Sequence, residues 1–261
     1  GNMEQREIEF IAEQEWKREL EWRADPKNAK VMHFADRLFH DLNELGYNIQ
    51  WGFSMQPTVF NGDNRIFPIC KKFIEEAEND KELKKYASMV VWILAHKRMT
   101  VATEFLLQHY LKAIHSFVDS ELPSTYAQTI AKIQDKRYIQ EYKALTKPEV
   151  ICYTSGYIVE MLGKLKVYEA EEQLIELVDF RSSFELGWSE EVFYLFGLNL
   201  FVSKSAIKAL GFLKSKKAIP VIEKYLHPET LPGFFPNDRE RKCYITEFRN
   251  LARKTIERIN R

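Results

Sequence analysis

SAIKALGFLKSKKAIPVIEKYL, the stretch Ser205–Leu226, predicts two short helices joined by a turn. In its first half, apolar residues recur at helical spacing and mark one face of a first helix: Ala206, Ala209, Leu210 and Leu213. The second half repeats this spacing with Ala218, Ile222, Tyr225 and Leu226. Pro220 falls in the opening turn of the second helix, where a missing backbone N–H costs nothing. Two helices of this length cannot bury their apolar faces alone, so the pattern predicts packed neighbours.

The same pattern recurs elsewhere in the chain. The segment Tyr157–Val178, YIVEMLGKLKVYEAEEQLIELV, aligns with Ser205–Leu226 without a gap. A further copy of the second helix begins at Ile66, and weaker copies follow Ile93 and Ile130. Repetition at tens of residues is typical of stacked helical arrays. Gly163 and Gly211 lie inside predicted helices, where glycine is costly, which indicates close approach of a neighbouring helix.

The domain organisation predicted from these patterns has two parts. Residues 1–30 are expected to form an N-terminal capping helix with a partial apolar stripe, and Gly1-Asn2 is interpreted as a cloning remnant. Residues 31–261 are expected to form one repeat domain, best matched at 157–178 and 205–226. The link Tyr47–Asn64 is interpreted as a long loop, and Ile245–Ile259 as a terminal cap. The aromatic-rich insertion Arg181–Val202 interrupts the array.

The form AhhxALGxLKxxxAhPhhxxhL at 206–226, with its partner at 158–178, resembles HEAT repeats, most of all those of bacterial stand-alone HEAT-repeat proteins. The resemblance implies an all-α fold: a right-handed α-α superhelix, or HEAT/armadillo-like solenoid, with irregular linkers and terminal capping helices. It also implies a protein-interaction scaffold whose second helices line the concave side. The two long linkers and the aromatic insertion depart from a regular array and leave its curvature open.

Composition disfavours binding to nucleic acid or membranes through overall charge. The chain has 38 acidic and 38 basic side chains among 261 residues, so no general attraction to nucleic acid or to a membrane surface is expected. Its longest apolar run, Val192–Val202, is about half of what a spanning helix needs. Cys70, Cys152 and Cys243 are widely spaced, which favours free thiols in a reducing cytoplasm over disulfides.

A search for chemistry predicts no catalytic residue, no cofactor and no metal site. The chain lacks a glycine-rich phosphate loop, an HExxH motif, a CxxC pair and a GxSxG elbow. His109 occupies an inward position of the repeat, which favours a hydrogen-bonded, partly buried side chain over a metal ligand. The acidic set Glu169, Glu171, Glu172 and Glu176 is interpreted as solvated helix surface. We therefore expect a non-enzymatic protein.

Three function classes stay open at this point. The leading one is a scaffold or adaptor that binds a protein or peptide in a concave groove. The second is a HEAT-like DNA glycosylase acting on alkylated DNA, for which the basic tail Asp238–Arg261 is the only strongly positive segment. The third is a small regulatory or antitoxin-like inhibitory protein. Balanced charge and the absence of a glycosylase motif favour the first.

The repeat alignment locates the candidate groove. Counted from the opening residues Ile66, Ala102, Ala170 and Ala218, positions four and eight are expected in the core. Position six is polar in all four copies: Lys72, Gln108, Glu176 and Lys224. This position lies about 120° from the middle of the core face. We predict a partner groove along these residues, with Glu104 and Glu172 beside it, while plain solvated surface stays an alternative. The fallback is an aromatic surface around Trp188 and Phe193, although a filled core there is favoured.

Overall fold

The computed structural model describes residues 1–50, 55–114, 121–183, 189–231 and 238–261, with the backbone alone for 238–241. Within these ranges the chain forms fourteen α-helices and no strand, which confirms the all-α class. The chain divides into two compact units, Gly1–Met99 and Thr100–Arg261. The domain boundary predicted at residue 30 stays a prediction.

The described part of the first unit contains five α-helices: α1 Asn2–Ala24, α2 Ala29–Asn43, α3 Pro57–Phe60, α4 Ile66–Glu78 and α5 Ala87–Trp92. α2 packs against α4, and the rings of Phe34 and Phe73 meet edge to face with centroids 5.3 Å apart. Beside these rings, Arg37 Nη1 donates to Glu76 Oε2 at 3.1 Å. α3 lies inside the predicted loop Tyr47–Asn64, because Pro57 opens a single helical turn there.

The long helix α1 buries none of its side chains. Trp16 and Leu20, from its predicted apolar stripe, are 39% and 47% exposed. Near its C-terminal end, Arg23 Nη2 donates to Asp36 Oδ1 of α2 at 2.7 Å. The role of α1 as a cap therefore stays a prediction.

The second unit contains nine α-helices in its described residues: α6 Thr103–Ile114, α7 Glu121–Ile133, α8 Ile139–Leu145, α9 Gly156–Lys164, α10 Glu171–Leu177, α11 Glu190–Leu195, α12 Phe201–Leu213, α13 Ile219–Glu223 and α14 Asp238–Asn260. The helix pair predicted for Ser205–Leu226 is present as α12 and α13. α9 packs closely against α12, which also contacts α10 and α14.

Three turns of the second unit share one backbone geometry. Gln134, Lys166 and Lys214, each of which follows a first helix, have φ values of 55°, 58° and 52°. A 3₁₀ turn follows in each case and ends at Tyr138, Ala170 and Ala218 respectively. A 3₁₀ turn that ends at Ala102 likewise precedes α6. We take the last residue of each 3₁₀ turn as position zero of the second helix that follows it.

Positions four and eight of the predicted copies are buried as expected, with the exception of Leu226. The side chains fully buried at these positions in the second unit are Leu106, Tyr110, Tyr142, Thr146, Leu174, Val178 and Ile222. Cys70 and Ile74, counted from Ile66, are buried in the first unit. Leu226 is half-buried, because it lies in the 3₁₀ turn that continues α13. The three cysteines are free, with Cys70 buried and Cys243 exposed.

The two helical glycines face neighbouring helices, which confirms the predicted close approach. A Cβ atom at Gly163 would lie 2.4 Å from Cα of Ala209, so the backbones of α9 and α12 leave no room for a side chain. At Gly211 the nearest atom is Cγ2 of Thr255 on α14, at 3.0 Å. The approach is therefore tighter at Gly163, where the neighbour is backbone rather than side chain.

Candidate functional site

The six predicted groove residues are all exposed. Lys72 belongs to the first unit, where its Nζ lies 3.8 Å from Asp41 Oδ2. The other five lie in the second unit, on α6, on α10 or just after α13. Their surroundings differ from one second helix to the next.

Lys217 and Lys224 form ion pairs across the junction between α10 and α13. Lys217 Nζ lies 3.1 Å from Glu172 Oε1 and 3.9 Å from Glu171 Oε1. Lys224 Nζ lies 2.6 Å from Asp179 Oδ2. Tyr225 adds a buried link, because its hydroxyl donates to the backbone oxygen of Val178 at 2.8 Å. We call this the closed junction. Two of the predicted groove residues, Glu172 and Lys224, are thus engaged by neighbours within the chain.

The junction between α8 and α10 has a polar bridge at the corresponding place. Gln140, at position two of α8, donates from Nε2 to Oε1 of Glu169 at 3.1 Å. Glu169 occupies the place before position zero, as Lys217 does in the next copy. Gln173 of α10 also donates to the backbone oxygen of Lys143, at 3.1 Å.

The junction between α6 and α8 has no counterpart of the Lys224–Asp179 ion pair, because its residue types differ at those two positions. In the closed junction, Asp179 at position nine pairs with Lys224 at position six of the next copy. The same positions hold Leu111 on α6 and Ala144 on α8. Both side chains are exposed, and Leu111 is 43% exposed. An apolar pair therefore replaces an ion pair at this junction.

A counterpart of the Lys217–Glu172 ion pair is missing for a different reason. Glu104 corresponds to Glu172, and Arg137 corresponds to its partner Lys217. Arg137 is held instead by Asp135, with Nη2 2.7 Å from Oδ2 and Nε 3.0 Å from Oδ1. This guanidinium lowers the pKa of the buried Asp135 carboxyl. Among the described residues, Glu104 forms no ion pair.

A cavity of about 360 Å³ opens at this junction, and we call it the α6–α8 pocket. From α6 it is lined by Glu104, Leu107, Gln108 and Leu111. From α8 and its surroundings it is lined by Tyr138, Glu141, Ala144, Leu145 and Val150. Its volume falls in the range of ligand sites, and apolar walls with a few polar groups at the rim are typical of such sites.

Tyr138 helps to explain why the pocket forms here. The other second helices of this unit have alanine at position zero, and those alanines are at most 1% exposed. A tyrosine cannot occupy the space of a buried alanine. Tyr138 is half-buried and forms part of the pocket wall. The positions predicted from the sequence were not counted for α8. The run from Asp135 to Tyr138 nevertheless matches the other turns once Gln134 is aligned with Lys166.

The structure thus brings together two of the predicted groove residues, Glu104 and Gln108, in one pocket. Glu176 is exposed on α10 and does not line it. The lining residues that sequence reasoning missed are chiefly Leu111, Tyr138 and Ala144. Each of these three residues differs in type from the residues at the same position in other copies, and this difference could have identified them from the sequence.

The fallback aromatic surface is wrong at Phe193. Its ring is 1% exposed and packs edge to face on Tyr153, with centroids 5.8 Å apart. The side chain fills the core of the insertion, as the favoured interpretation expected, and cannot face a partner. Trp188 lies outside the described residues.

A smaller cavity of about 220 Å³ lies in the first unit, against α1 and α2. It is lined by apolar side chains that include Trp22, Phe34 and Phe39. Arg23, at its edge, already binds Asp36. None of the groove residues predicted from the sequence lines this cavity.

The described residues contain no group of three or more His, Cys, Asp or Glu side chains that could hold a metal ion. His109 is 8% exposed, and its ring centroid lies 3.9 Å from that of Phe105. In the part of the chain that the structure describes, no helix combines the length and apolar character needed to cross a membrane.

Comparisons with known proteins found no counterpart. No known family model matches the sequence, and searches of the curated proteins and of the solved structures also gave no match.

Proposed function

We propose that the unit Thr100–Arg261 is the protein-interaction module of a non-enzymatic, HEAT-like scaffold, and that the α6–α8 pocket receives an apolar side chain from a partner. The observation that carries this proposal is the position of the pocket. It opens between successive second helices, where Leu111 and Ala144 replace the Asp179–Lys224 ion pair of the closed junction.

Two further observations support a scaffold with repeated helix pairs. The left-handed turn residues Gln134, Lys166 and Lys214 recur at matching places, and helix packing links α9, α12 and α14 in sequence. Stacked helical pairs of this kind leave one set of helices facing an extended binding surface. A partner lying across that surface would meet Glu104 and Gln108 beside the pocket.

The energetics call for more than one contact. Burying one large apolar side chain contributes roughly 1.5–3 kcal/mol. A micromolar complex needs about 8 kcal/mol after the entropic cost of association has been met. The side chain in the pocket therefore anchors the partner, and contacts on the neighbouring surface must supply the remaining binding free energy. This favours a protein segment over a small apolar ligand.

The pocket also favours this function over DNA binding. Its charged lining residues in the described chain are the carboxylates Glu104 and Glu141, which repel phosphate. A base held in this pocket would bring its backbone close to both carboxylates. The α6–α8 pocket therefore offers no support for the glycosylase alternative.

A peptide selection tests the proposal. A random peptide library displayed on phage is selected on the immobilised wild-type chain, and the enriched peptides are measured by fluorescence anisotropy. We expect them to share a large apolar residue, and Leu111→Glu should weaken their binding at least about tenfold. The matched control is Leu195→Glu, because Leu195 is also 43% exposed and lies outside the pocket. Equal loss in both variants, or no apolar enrichment, would contradict the proposal.

A further inference from the structure

We infer that the partner segment carries a lysine or arginine close to the apolar side chain that enters the α6–α8 pocket. This inference rests on the proposed function and specifies the chemistry of the partner at the same site. It follows from the charges around the pocket.

The two charged residues that line the pocket in the described chain are both acidic. Glu104 lies on α6 and Glu141 on α8, so a carboxylate stands on each wall. Both are exposed to solvent, and neither forms an ion pair within the described residues. Glu172, which corresponds to Glu104, is neutralised by Lys217 in the closed junction.

Two cations on α8 and its turn, Arg137 and Lys143, are already engaged. Arg137 is bound in bidentate fashion by Asp135, and its Nη2 also donates to the backbone oxygen of Thr100 at 3.1 Å. Lys143 lies 3.9 Å from Glu169. Neither side chain lines the pocket. The charged side chains that line the pocket are therefore both carboxylates, placed around an apolar centre and without an ion pair in the described chain.

A cationic segment with an apolar anchor satisfies both features. Its apolar side chain would be removed from water, while an adjacent ammonium or guanidinium would lie near Glu104 or Glu141. Solvent-exposed ion pairs are individually weak, so we expect the two carboxylates together to alter affinity on the order of tenfold. The effect should decrease with salt, because the charges are exposed.

A second copy of this chain is a weaker match. Its α1 offers exposed apolar side chains such as Trp16 and Leu20, but most of the charged residues in Asn2–Ala24 are acidic. Glu19 and Glu21, which flank Leu20, would meet Glu104 and Glu141. Like charges at close range disfavour this arrangement.

The test uses charge reversal and peptides from the selection described above. A peptide enriched on the wild-type chain is synthesised with lysine, glutamine or glutamate next to its apolar residue. Anisotropy should rank the affinities as lysine, then glutamine, then glutamate, with a spread on the order of tenfold at low salt. The double variant Glu104→Lys/Glu141→Lys should invert this ranking.

The matched control is Glu191→Lys/Glu257→Lys, which reverses two exposed carboxylates that lie outside both the pocket and the predicted groove. It should preserve the wild-type ranking. Apolar peptides that bind with no charge preference would overturn the inference and leave the proposed function standing. A failure of all apolar peptides would contradict the proposed function itself. Dimers of the chain that Leu111→Glu dissociates would also overturn the inference.

Discussion

The closed junction and the α6–α8 junction share the same turn but differ in what fills the space between second helices. In the closed junction, Lys224 reaches Asp179 across the gap. In the other, Leu111 and Ala144 stand at those positions, and a cavity remains. The comparison teaches that a repeat can keep its backbone while a few substitutions convert a sealed contact into an open apolar one.

The largest effect on stability is expected from a substitution between the first helices α9 and α12. Gly163→Ala places a Cβ atom against the backbone of Ala209, so α9 and α12 must move apart. We expect a loss of about 1–3 kcal/mol in the free energy of unfolding. Urea denaturation followed by circular dichroism measures it.

Gly211→Ala is the matched control, because the atom it meets belongs to the side chain of Thr255 rather than to backbone. Alanine also gains about 1 kcal/mol of helix propensity over glycine. Its stability should therefore change by less than that of Gly163→Ala. Equal changes in the two variants would remove the close-packing explanation for the α9–α12 contact.

Asp135→Asn should have an intermediate effect of about 1 kcal/mol near pH 7, since it breaks the ion pair with Arg137 but keeps a turn-capping oxygen. The folded pKa of Asp135 is lowered chiefly by Arg137. Its contribution is therefore fully present above the usual aspartate pKa and is lost as pH falls through the lowered value. The difference between variant and wild type should shrink along that acid limb in urea denaturation. A difference that stays constant with pH would show that the carboxylate charge is not its source.

Much of the architecture could be predicted from sequence. The apolar spacing in Ser205–Leu226 gave both helices, because burial of one face is a local periodic property. Gly163 and Gly211 indicated close helix contacts, because glycine is costly inside a helix and is expected there where a neighbour occupies the space of a side chain. The short helix α3 was missed because a single turn of helix leaves no periodic pattern, and the exposure of α1 was missed because an apolar stripe does not specify what covers it.

The candidate site was less predictable. Position six includes Gln108, which lines the pocket, but also Lys224, which is engaged by Asp179. Whether an exposed polar residue is paired depends on the neighbouring copy and not on its own helix. Tyr138 and Leu111 matter because they differ from residues at matching positions, and that alignment required the left-handed turns to be located.

The most direct test transplants the closed junction into the pocket. Leu111→Asp with Ala144→Lys recreates the residue types of Asp179 and Lys224, and stability should change by no more than about 1 kcal/mol, the range of an exposed ion pair. Anisotropy titration of a peptide selected on the wild-type chain should show at least about tenfold weaker binding to this double variant. Unchanged affinity in a variant that remains folded would contradict the claim that the α6–α8 pocket is the binding site.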